Sequence, residues 1–363
     1  MTLPPLRKGE GAAPVTCSVE GAYFAGPTLA ALNAELAADI QSWPSFARCP
    51  VCSSDAIHAL ATVRHISHDR CGECGFTFAN PQPPESVRDE FYNGGFYTNY
   101  RRLEDHKRRA DPYFSISMYT DMRSLARLIA DRSPRHVLDF GCGTGSFLAL
   151  LQAEFGIADV EGLEISAEAR ERARTAYGLE VAGSVHELRR ESYDVVLLLE
   201  VIEHVPDPNA FFAEVARLVR PGGTVLITTP AVDNFEGRYM ARHCAHYTAP
   251  SHVSLFTTKA MRTLLERHCF VPVHCATDPA VASVRTLARS LVYSLDYASP
   301  QHDEDTVDLL YRPKALGRLL GRTEARNPSM GRVGNKAIAL VDWAIRRIAP
   351  RPNHFYVLAE RRA

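Results

Sequence analysis

The stretch LDFGCGTGSF at residues 138–147 constrains the fold more than any other part of this chain. Its glycines, Gly141, Gly143 and Gly145, follow HVLDF, which has the composition of a buried strand, and precede LALLQAEF, which has helical spacing of apolar residues. Glycine adopts positive φ freely and has no Cβ, so a ligand can approach its backbone closely. A glycine-rich turn between a strand and a helix therefore predicts a nucleotide site, although a tight turn without a ligand has the same pattern.

Strands and helices alternate from residue 136 onward, which predicts an α/β fold with a parallel sheet and helices on both faces. The apolar run YDVVLLLEV (193–201) is typical of a central strand buried on both faces. Further strands are predicted for VEGLEIS (160–166), LEVAGS (179–184), TVLITTP (224–230), VPVHCATD (271–278) and HFYVLAERR (354–362). Helices are predicted for AEARERARTAYG (167–178), PNAFFAEVARLVRPGG (208–223), TKAMRTLLERHCF (258–270), a segment beginning near Glu85, and residues 112–131.

Two acidic residues bear on the identity of the ligand. Glu164 ends the second predicted strand, about twenty residues after the glycine turn, where a carboxylate can accept both hydroxyls of a ribose. The alternative is that Glu164 is an ordinary surface residue without a ligand. The glycine spacing is G-x-G-x-G, whereas a dinucleotide fingerprint is G-x-G-x-x-G. Asp139 would repel a pyrophosphate, so the pattern favours a ligand with positive charge, such as S-adenosylmethionine.

The cysteine spacing predicts a metal site. Cys49, Cys52, Cys71 and Cys74 form two C-x2-C pairs with eighteen residues between them, a spacing typical of a four-thiolate zinc site. Such a site is structural, because protein thiolates occupy all four positions of the ion. Four unrelated cysteines are the alternative. The remaining five cysteines have no ligand spacing, and we expect them to be buried thiols.

The amino-acid composition limits the cellular locations and the binding partners that we expect for this chain. Hydrophobic residues make up 46% of the chain, charged residues 23%, and the formal net charge is −1, which offers no argument for nucleic acid as a partner. We see neither an apolar run of membrane-spanning length nor a secretory signal. Because the cysteines are spaced for metal rather than for disulfides, we expect a cytoplasmic location.

Together these motifs resemble class I S-adenosylmethionine-dependent methyltransferases, over about residues 135–278. LDFGCGTGSF is similar to the first motif of that family, VEGLEIS to its second-strand acidic motif and LVRPGGTVLITTP to its fifth-strand motif. YDVVLLLEVIEHVPDP resembles the fourth-strand motif of the branch that includes ubiquinone-biosynthesis methyltransferases. The cysteine ribbon with FANPQPPESVRDEFY, and the segment SHVSLFT, resemble deoxysugar C-methyltransferases and methyltransferases of surface-polysaccharide and natural-product pathways.

The resemblance implies a Rossmann-like seven-stranded sheet, a small N-terminal zinc ribbon and helical additions. It also implies that the last strand lies between the fifth and the sixth. The cofactor-binding residues that it implies are Asp139, Gly141, Gly143, Gly145, Glu164, Ser184 and Glu200. Glu164 would hold the ribose, and Glu200 would line the methionine or the methyl-transfer face. Many relatives have an acidic residue for adenine after the third strand, where this chain has AGSVHEL, so Ser184 or a backbone group would replace it.

Methyl transfer to a hydroxyl or a carbon acid also needs a base. Histidine suits this role, because its ordinary pKa is about 6.5. His204 follows the fourth predicted strand and His252 the fifth, at the edge where open α/β sheets bind ligands. The resemblance places the base on His252, with His204 as its rival and a purely structural role for His252 as the alternative.

The predicted division is an N-terminal extension (1–45), a zinc ribbon (46–82), a helical linker or lid (83–132), a cofactor-binding core (133–278), a basic helical insertion (279–353) and a terminal core strand (354–363). From Arg312 to Arg351 the insertion has ten Lys and Arg residues against Glu324 and Asp342. That charge suits an anionic acceptor, such as a nucleotide-sugar or a lipid-linked glycan, or contact with a membrane surface. A solvated cap is the alternative.

The sequence therefore predicts an enzyme that methylates a small molecule, with a sugar, a nucleotide-sugar or a secondary metabolite as the favoured acceptor. Its cofactors would be S-adenosylmethionine and a structural Zn²⁺. Two other functions stay open, namely a zinc-ribbon binding module beside an idle Rossmann domain, and an NAD-dependent oxidoreductase, which the glycine spacing disfavours. The pattern does not fix the methylated atom or the oligomeric state.

Overall fold

The structure, a computed structural model, describes residues 39–63, 65–93, 122–188, 192–234, 237, 246–277 and 354–362. The predictions for the first 38 residues, for the beginning of the helix at 112–131 and for the basic insertion fall outside these ranges. Within the described ranges, no helix combines the length and the apolar character needed to cross a bilayer.

The described chain contains eleven strands and six α-helices. The strands are β1 (Ile57–Val63), β2 (Ile66–Cys71), β3 (Thr77–Ala79), β4 (His136–Phe140), β5 (Asp159–Leu163), β6 (Val181–Ala182), β7 (Tyr193–Leu199), β8 (Val219–Pro230), β9 (Ser254–Leu255), β10 (Phe270–Thr277) and β11 (His354–Arg361). The helices are α1 (Glu85–Asn93), α2 (Met122–Ala130), α3 (Ser146–Phe155), α4 (Ala167–Tyr177), α5 (Pro208–Leu218) and α6 (Thr258–Arg267).

Seven strands form the central sheet in the order β10-β11-β8-β7-β4-β5-β6. The five strands from β8 to β6 are parallel, whereas β11 is antiparallel to both of its neighbours. The predicted α/β fold is confirmed, including the position of the last strand between the fifth and the sixth. This order places the ends of β4, β5, β7 and β8 beside one another.

Helices cover both faces of this sheet, because alternate residues of its buried strands point in opposite directions. On one face, Leu197 of β7 packs in a cluster with residues of α2 and α3, such as Ile129 and Leu151. On the other face, Leu198 packs with residues of α5 and α6, such as Phe212. The central strand is therefore buried on both sides, as its apolar run predicts.

Two local predictions were wrong. Helix α5 ends at Leu218, and β8 already begins at Val219, opposite Tyr193. Pro221 disfavours helical geometry at the preceding residue and has no N–H to donate, so the helix cannot continue through LVRPGG. The expectation of buried thiols holds for Cys142 but not for Cys269 and Cys275, which are exposed. Cys275 lies in the edge strand β10, and Cys269 directly precedes that strand.

The cysteine-containing segment forms a second sheet in the order β1-β2-β3-β9. Its last strand, β9, comes from the segment after β8, and it pairs with β3 through Thr77 opposite Leu255. The aromatic ring of Phe76 stacks on Phe78, with ring centroids 5.5 Å apart, and lies 4.9 Å from the ring of Phe256. The ribbon sheet therefore includes one strand from the core segment of the chain, and it shares a hydrophobic core with the larger sheet.

Candidate active site

The glycine loop joins β4 to α3 in a conformation that favours glycine. Gly141, Gly143 and Gly145 have φ values of +81°, +55° and +76°. A Cβ on Gly141 would lie 2.8 Å from Cγ2 of Val201, and one on Gly145 would lie 2.8 Å from Cδ1 of Leu179. The loop therefore needs glycine both for its left-handed backbone and for its close packing.

Glu164 ties the glycine loop to the next strand. Its Oε2 accepts a hydrogen bond from the backbone N–H of Gly143 at 2.9 Å, and its Oε1 accepts one from Ser166 N–H at 2.8 Å. The residue is only 9% exposed and directly follows β5. An ionised carboxylate has about four lone-pair sites, so the side chain can still accept hydrogen bonds from two hydroxyls of a ligand.

Asp139 supplies a buried carboxyl group beside this loop. It lies in β4 and is 2% exposed, and its Oδ1 has no hydrogen-bond partner within the described part of the chain. Burial, and then the charge of Glu164, raise the pKa of Asp139 to about 7. A buried carboxyl group that needs a partner fits a ligand with a cationic group, so the residues present fit S-adenosylmethionine.

Glu200 and Ser184, the two other predicted cofactor contacts, differ in their surroundings. Glu200 follows β7 with φ of +56°, and its N–H donates to the carbonyl and to the hydroxyl oxygen of Thr228, both at 3.1 Å. Its Oε2 lies 3.4 Å from Nε2 of His354. The Ser184 hydroxyl instead accepts from the His186 N–H at 3.3 Å and caps a short 3-10 turn.

The two histidines predicted as bases lie together at the carboxyl edge. His204 ends a 3-10 turn after β7, and its ring centroid lies 4.9 Å from that of His252. Nδ1 of His204 lies 2.9 Å from the carbonyl oxygen of Ser251 and 2.8 Å from the hydroxyl of Tyr92. Burial lowers the pKa of His204, against the opposing effect of the Ser251 carbonyl, so this ring is neutral at pH 7.

Glu203 was missed by the sequence analysis, although it belongs to the same turn as His204. Its side chain is completely buried, and its Oε2 accepts from the Thr229 hydroxyl at 2.9 Å. Burial, and then the charge of Glu200, raise the pKa of Glu203 well above its ordinary value. One ligand atom from each of Glu203, His204 and His252 lies within 4.8 Å of the other two, so the group can hold a proton or a cation. The three-residue spacing of Glu200 and Glu203 was the available signal.

The four predicted metal ligands also come together, in the ribbon. Sγ of Cys49 lies 3.6 Å from that of Cys74, and Sγ of Cys52 lies 3.5 Å from that of Cys71. A tetrahedron of Zn–S bonds of about 2.3 Å has edges of about 3.8 Å, so the cluster fits a zinc ion. Burial raises the pKa of Cys52, which a bound cation would oppose.

Two matching turns create this cluster. In the first, the N–H of Ser53 donates to the carbonyl of Cys49, and in the second, Gly75 N–H donates to Cys71. Ser53 and Gly75 both have left-handed backbone, with φ of +64° and +76°. Each turn thus directs two thiols to one point.

The ribbon contacts the segment that carries His252 through hydrogen bonds. The N–H of Ala79 donates to the carbonyl of Val253, and Val253 N–H donates to the carbonyl of Glu203. The Thr257 hydroxyl donates to the carbonyl of Cys74 at 2.7 Å. The segment that carries His252 is therefore held between the ribbon and the turn of Glu203.

Comparisons with known proteins find similarity to methyltransferases in the central part of this chain. Residues 114–274 match the family described as "Methyltransferase domain". The ubiquinone biosynthesis O-methyltransferase of Bordetella avium (strain 197N) is 42% identical over 105 residues, which are 26% of this chain and 42% of that protein. Its namesake from Neisseria meningitidis serogroup A / serotype 4A (strain DSM 15465 / Z2491) is 36% identical over 110 residues, which are 28% and 46% of the two chains. This chain thus spans less than half the length of these relatives.

Solved structures with similarity to this chain include phosphoethanolamine N-methyltransferase 2 of Haemonchus contortus in complex with S-adenosyl-L-methionine, at 17% identity and a TM-score of 0.47, covering 79% of this chain and 62% of that one. An S-adenosylmethionine-dependent methyltransferase from Archaeoglobus fulgidus has 18% identity and a TM-score of 0.40, covering 77% and 100%. Residues 114–274 are thus similar to a methyltransferase domain, and the curated relatives that match part of this chain are methyltransferases.

Proposed function

We propose that the whole chain transfers a methyl group from S-adenosylmethionine to an oxygen atom of a small-molecule acceptor. The observation that carries this proposal is the cradle at the ends of β4 and β5, where Glu164 holds Gly143 beside the buried Asp139. The relatives named as O-methyltransferases support oxygen as the target atom. A sugar, a nucleotide-sugar or another secondary metabolite is our proposed acceptor, with phenolic compounds as the second candidate because of those relatives.

The proposed cofactor contacts follow the order of the strands. Asp139 and the glycine loop hold the methionine part, and Glu164 accepts the ribose hydroxyls. Glu200 lines the methyl-transfer face, since it follows β7, the neighbour of β4. Ser184 lies on the adenine side beyond β6, and its hydroxyl, which already accepts a hydrogen bond, has its own proton to donate.

In the proposed reaction, the bound cofactor would supply a methyl group on a positively charged sulfonium, whose bond to that methyl group would break to leave a neutral thioether. The protein positions the acceptor oxygen in line with that methyl group and excludes water. The acceptor hydroxyl loses its proton as the new bond to carbon forms. We assign assistance in this proton removal to His252, with His204 as the second candidate, because the rings adjoin each other at the carboxyl edge.

The remaining parts of the proposal concern the rest of the chain. A structural Zn²⁺ on Cys49, Cys52, Cys71 and Cys74 would stabilise the ribbon. The basic insertion, residues 279–353, would contact an anionic acceptor or a membrane surface. We retain the predicted division into six segments, a cytoplasmic location, and the absence of a nucleic-acid partner as parts of this proposal.

A methyl-transfer assay tests the proposal. The purified full-length protein would be incubated with methyl-labelled S-adenosylmethionine and separate pools of nucleotide-sugars, lipid-linked glycans and phenolic metabolites. We expect label on a hydroxyl oxygen in one pool, as located by mass spectrometry and NMR. Label on nitrogen or carbon would contradict the target atom. A folded protein that binds the cofactor and yet methylates no pool would contradict the proposed acceptor classes.

A further inference from the structure

We propose that the four-cysteine cluster is also a modification site, at which a hydroperoxide oxidises the thiolates to two disulfides and releases the zinc ion. The displaced turns would then disturb the segment that carries His252 and stop methyl transfer. This last effect rests on the proposed function, whereas oxidation and zinc release require neither the cofactor nor the acceptor. The zinc ion is the structural one that we propose for this cluster.

The first argument is that the four sulfur atoms already form two close pairs. Sγ of Cys52 lies 3.5 Å from that of Cys71, and Sγ of Cys49 lies 3.6 Å from that of Cys74. Each pair joins the first turn of the ribbon to the second. A disulfide bond is about 2.05 Å long, so each pair closes when its sulfur atoms approach by about 1.5 Å. The two bonds would move the turns out of the positions that suit a tetrahedral ion.

The second argument is that solvent reaches one member of the cluster. Cys52 is partly exposed, whereas its three partners are buried. The guanidinium of Arg267 donates to the hydroxyl oxygen of Ser53 at 3.1 Å, so a cation lies beside the turn of Cys52. Positive charge near a cysteine favours its thiolate, which is the reactive form. A hydroperoxide should therefore oxidise Cys52 first.

The oxidation needs no reactant other than the hydroperoxide. The Cys52 thiolate attacks one peroxide oxygen and breaks the O–O bond, which gives a sulfenic acid and a hydroxide or alkoxide ion. The Cys71 thiolate then attacks the sulfenic sulfur, forms the S–S bond and displaces hydroxide. Two electrons pass from the two thiolates to one peroxide, and the zinc ion keeps its charge. With two ligands lost the ion dissociates, and a second peroxide oxidises Cys49 and Cys74 in the same way.

The third argument is that both turns are hydrogen-bonded to the core. The side-chain amide of Asn209, at the start of α5, donates to the carbonyl of Val51 in the first turn at 3.2 Å. The Thr257 hydroxyl donates to the carbonyl of Cys74 in the second turn at 2.7 Å. The same hydroxyl accepts from the Ala260 N–H as the N-cap of α6. Movement of the turns would break these hydrogen bonds.

These contacts predict which part of the core responds to oxidation. They reach α5, the start of α6 and, through the pairing of β3 with β9, the residues that directly follow His252. The proposed cofactor cradle lies elsewhere, with Asp139 in β4 and Glu164 at the end of β5. Oxidation should therefore disturb residues 253–257 and leave the affinity for S-adenosylmethionine nearly unchanged.

Zinc release and amide hydrogen exchange test the site on the zinc-loaded full-length protein, in the absence of cofactor and acceptor. We expect hydrogen peroxide to release one zinc ion per chain, as measured with a chromogenic chelator. Non-reducing peptide mapping should find the pairs Cys52–Cys71 and Cys49–Cys74. Exchange in residues 253–257 should become about tenfold faster, the order expected from the loss of one or two hydrogen bonds. Dithiothreitol with added zinc should reverse all three changes.

The matched control is Cys275→Ser, at an exposed cysteine outside the cluster, which should release zinc as the wild type does. A cluster that keeps its zinc while the peroxide oxidises Cys275 would overturn the proposal, as would zinc release without the two disulfides. Unchanged exchange in residues 253–257 after release would refute the link to the core.

The methyl-transfer assay separates this proposal from the proposed function. We expect the reduced, zinc-loaded protein to transfer the methyl group and the oxidised protein to lose this activity until it is reduced and reloaded. Methyl transfer that persists after zinc release refutes the effect of oxidation alone. Reversible zinc release from a protein that never transfers a methyl group refutes the proposed function alone.

Discussion

The backbone N–H of Gly143 donates a hydrogen bond of 2.9 Å to Oε2 of Glu164, so the glycine loop and the second strand of the core form one unit. Oε1 of the same carboxylate accepts from Ser166 N–H, at the first turn of α4. The proposed ribose contact is thus positioned before any ligand binds.

Glu164→Ala is therefore expected to weaken S-adenosylmethionine binding by about 1–3 kcal/mol, the typical cost of losing a charge-assisted hydrogen bond. Isothermal titration calorimetry measures the change. The matched control is Glu168→Ala, on the first turn of α4, whose side chain pairs with Arg172 at the surface and should leave affinity unchanged. If Glu164→Ala binds as tightly as the wild type, the ribose assignment is wrong.

Asp139 makes cofactor binding dependent on pH. Its pKa is about 7 without ligand, and a cationic ligand favours the ionised form, so binding lowers this pKa and releases a proton. Affinity for S-adenosylmethionine should therefore rise roughly five- to tenfold between pH 6 and 7.5, as the ionised fraction of the free protein rises. Calorimetry in buffers of different ionisation enthalpy measures the released proton.

The raised pKa of Asp139 also makes the stability of the ligand-free protein depend on pH. Here a rise in pH is unfavourable, whereas it favours cofactor binding. The pKa of Asp139 is raised in the folded state, so its contribution to stability is complete below pH 4 and is lost as the pH rises through 7. Asp139→Asn should remove both the released proton and this loss of stability. A variant that keeps the wild-type pH dependence of affinity would show that another group titrates.

The cysteine cluster predicts one zinc ion per chain. Cys71→Ser should lose the metal and with it much of the stability of the ribbon, because binding of a structural zinc is coupled to folding. Elemental analysis and thermal melting measure the two effects. Cys275→Ser, at an exposed cysteine outside the cluster, should retain the zinc. A wild type that is fully folded without metal would refute the zinc site.

His252→Asn should lower kcat at least 100-fold, the lower end of what acid–base catalysis typically contributes, with little change in cofactor affinity. His186→Asn, at an exposed position, is the control. If His204→Asn loses the rate and His252→Asn keeps it, the assignment passes to His204.

Local chemistry made much of the fold and part of the site predictable. The glycine turn needs positive φ at three positions, and the cysteine pairs need two matching turns, so both features are visible as spacing. The end of α5 was also predictable in principle, because Pro221 follows it by three residues. The predicted helix nevertheless extended beyond Leu218, where α5 ends. The alternation of apolar strands and helices was enough for the α/β class, whereas the position of the last strand was implied by the resemblance to a known family.

Tertiary contacts made the rest unpredictable. Glu203 matters because Thr229, 26 residues later, directs one oxygen and leaves the other to face His204. The addition of β9 to the ribbon sheet depends on Phe78 of β3 pairing with Ser254 of β9, which no local pattern encodes. Both features arise from residues far apart in the chain.

Calorimetric titration of the wild-type protein with S-adenosylmethionine and, separately, with NAD distinguishes a methyltransferase from an oxidoreductase. We predict one S-adenosylmethionine site per chain and no binding of NAD, because Asp139 and the G-x-G-x-G loop suit a cationic ligand without a pyrophosphate. Binding of NAD in place of S-adenosylmethionine would contradict this prediction in favour of an oxidoreductase. Binding of neither ligand by the folded, zinc-loaded protein would contradict it in favour of a ribbon that binds partners beside an idle domain.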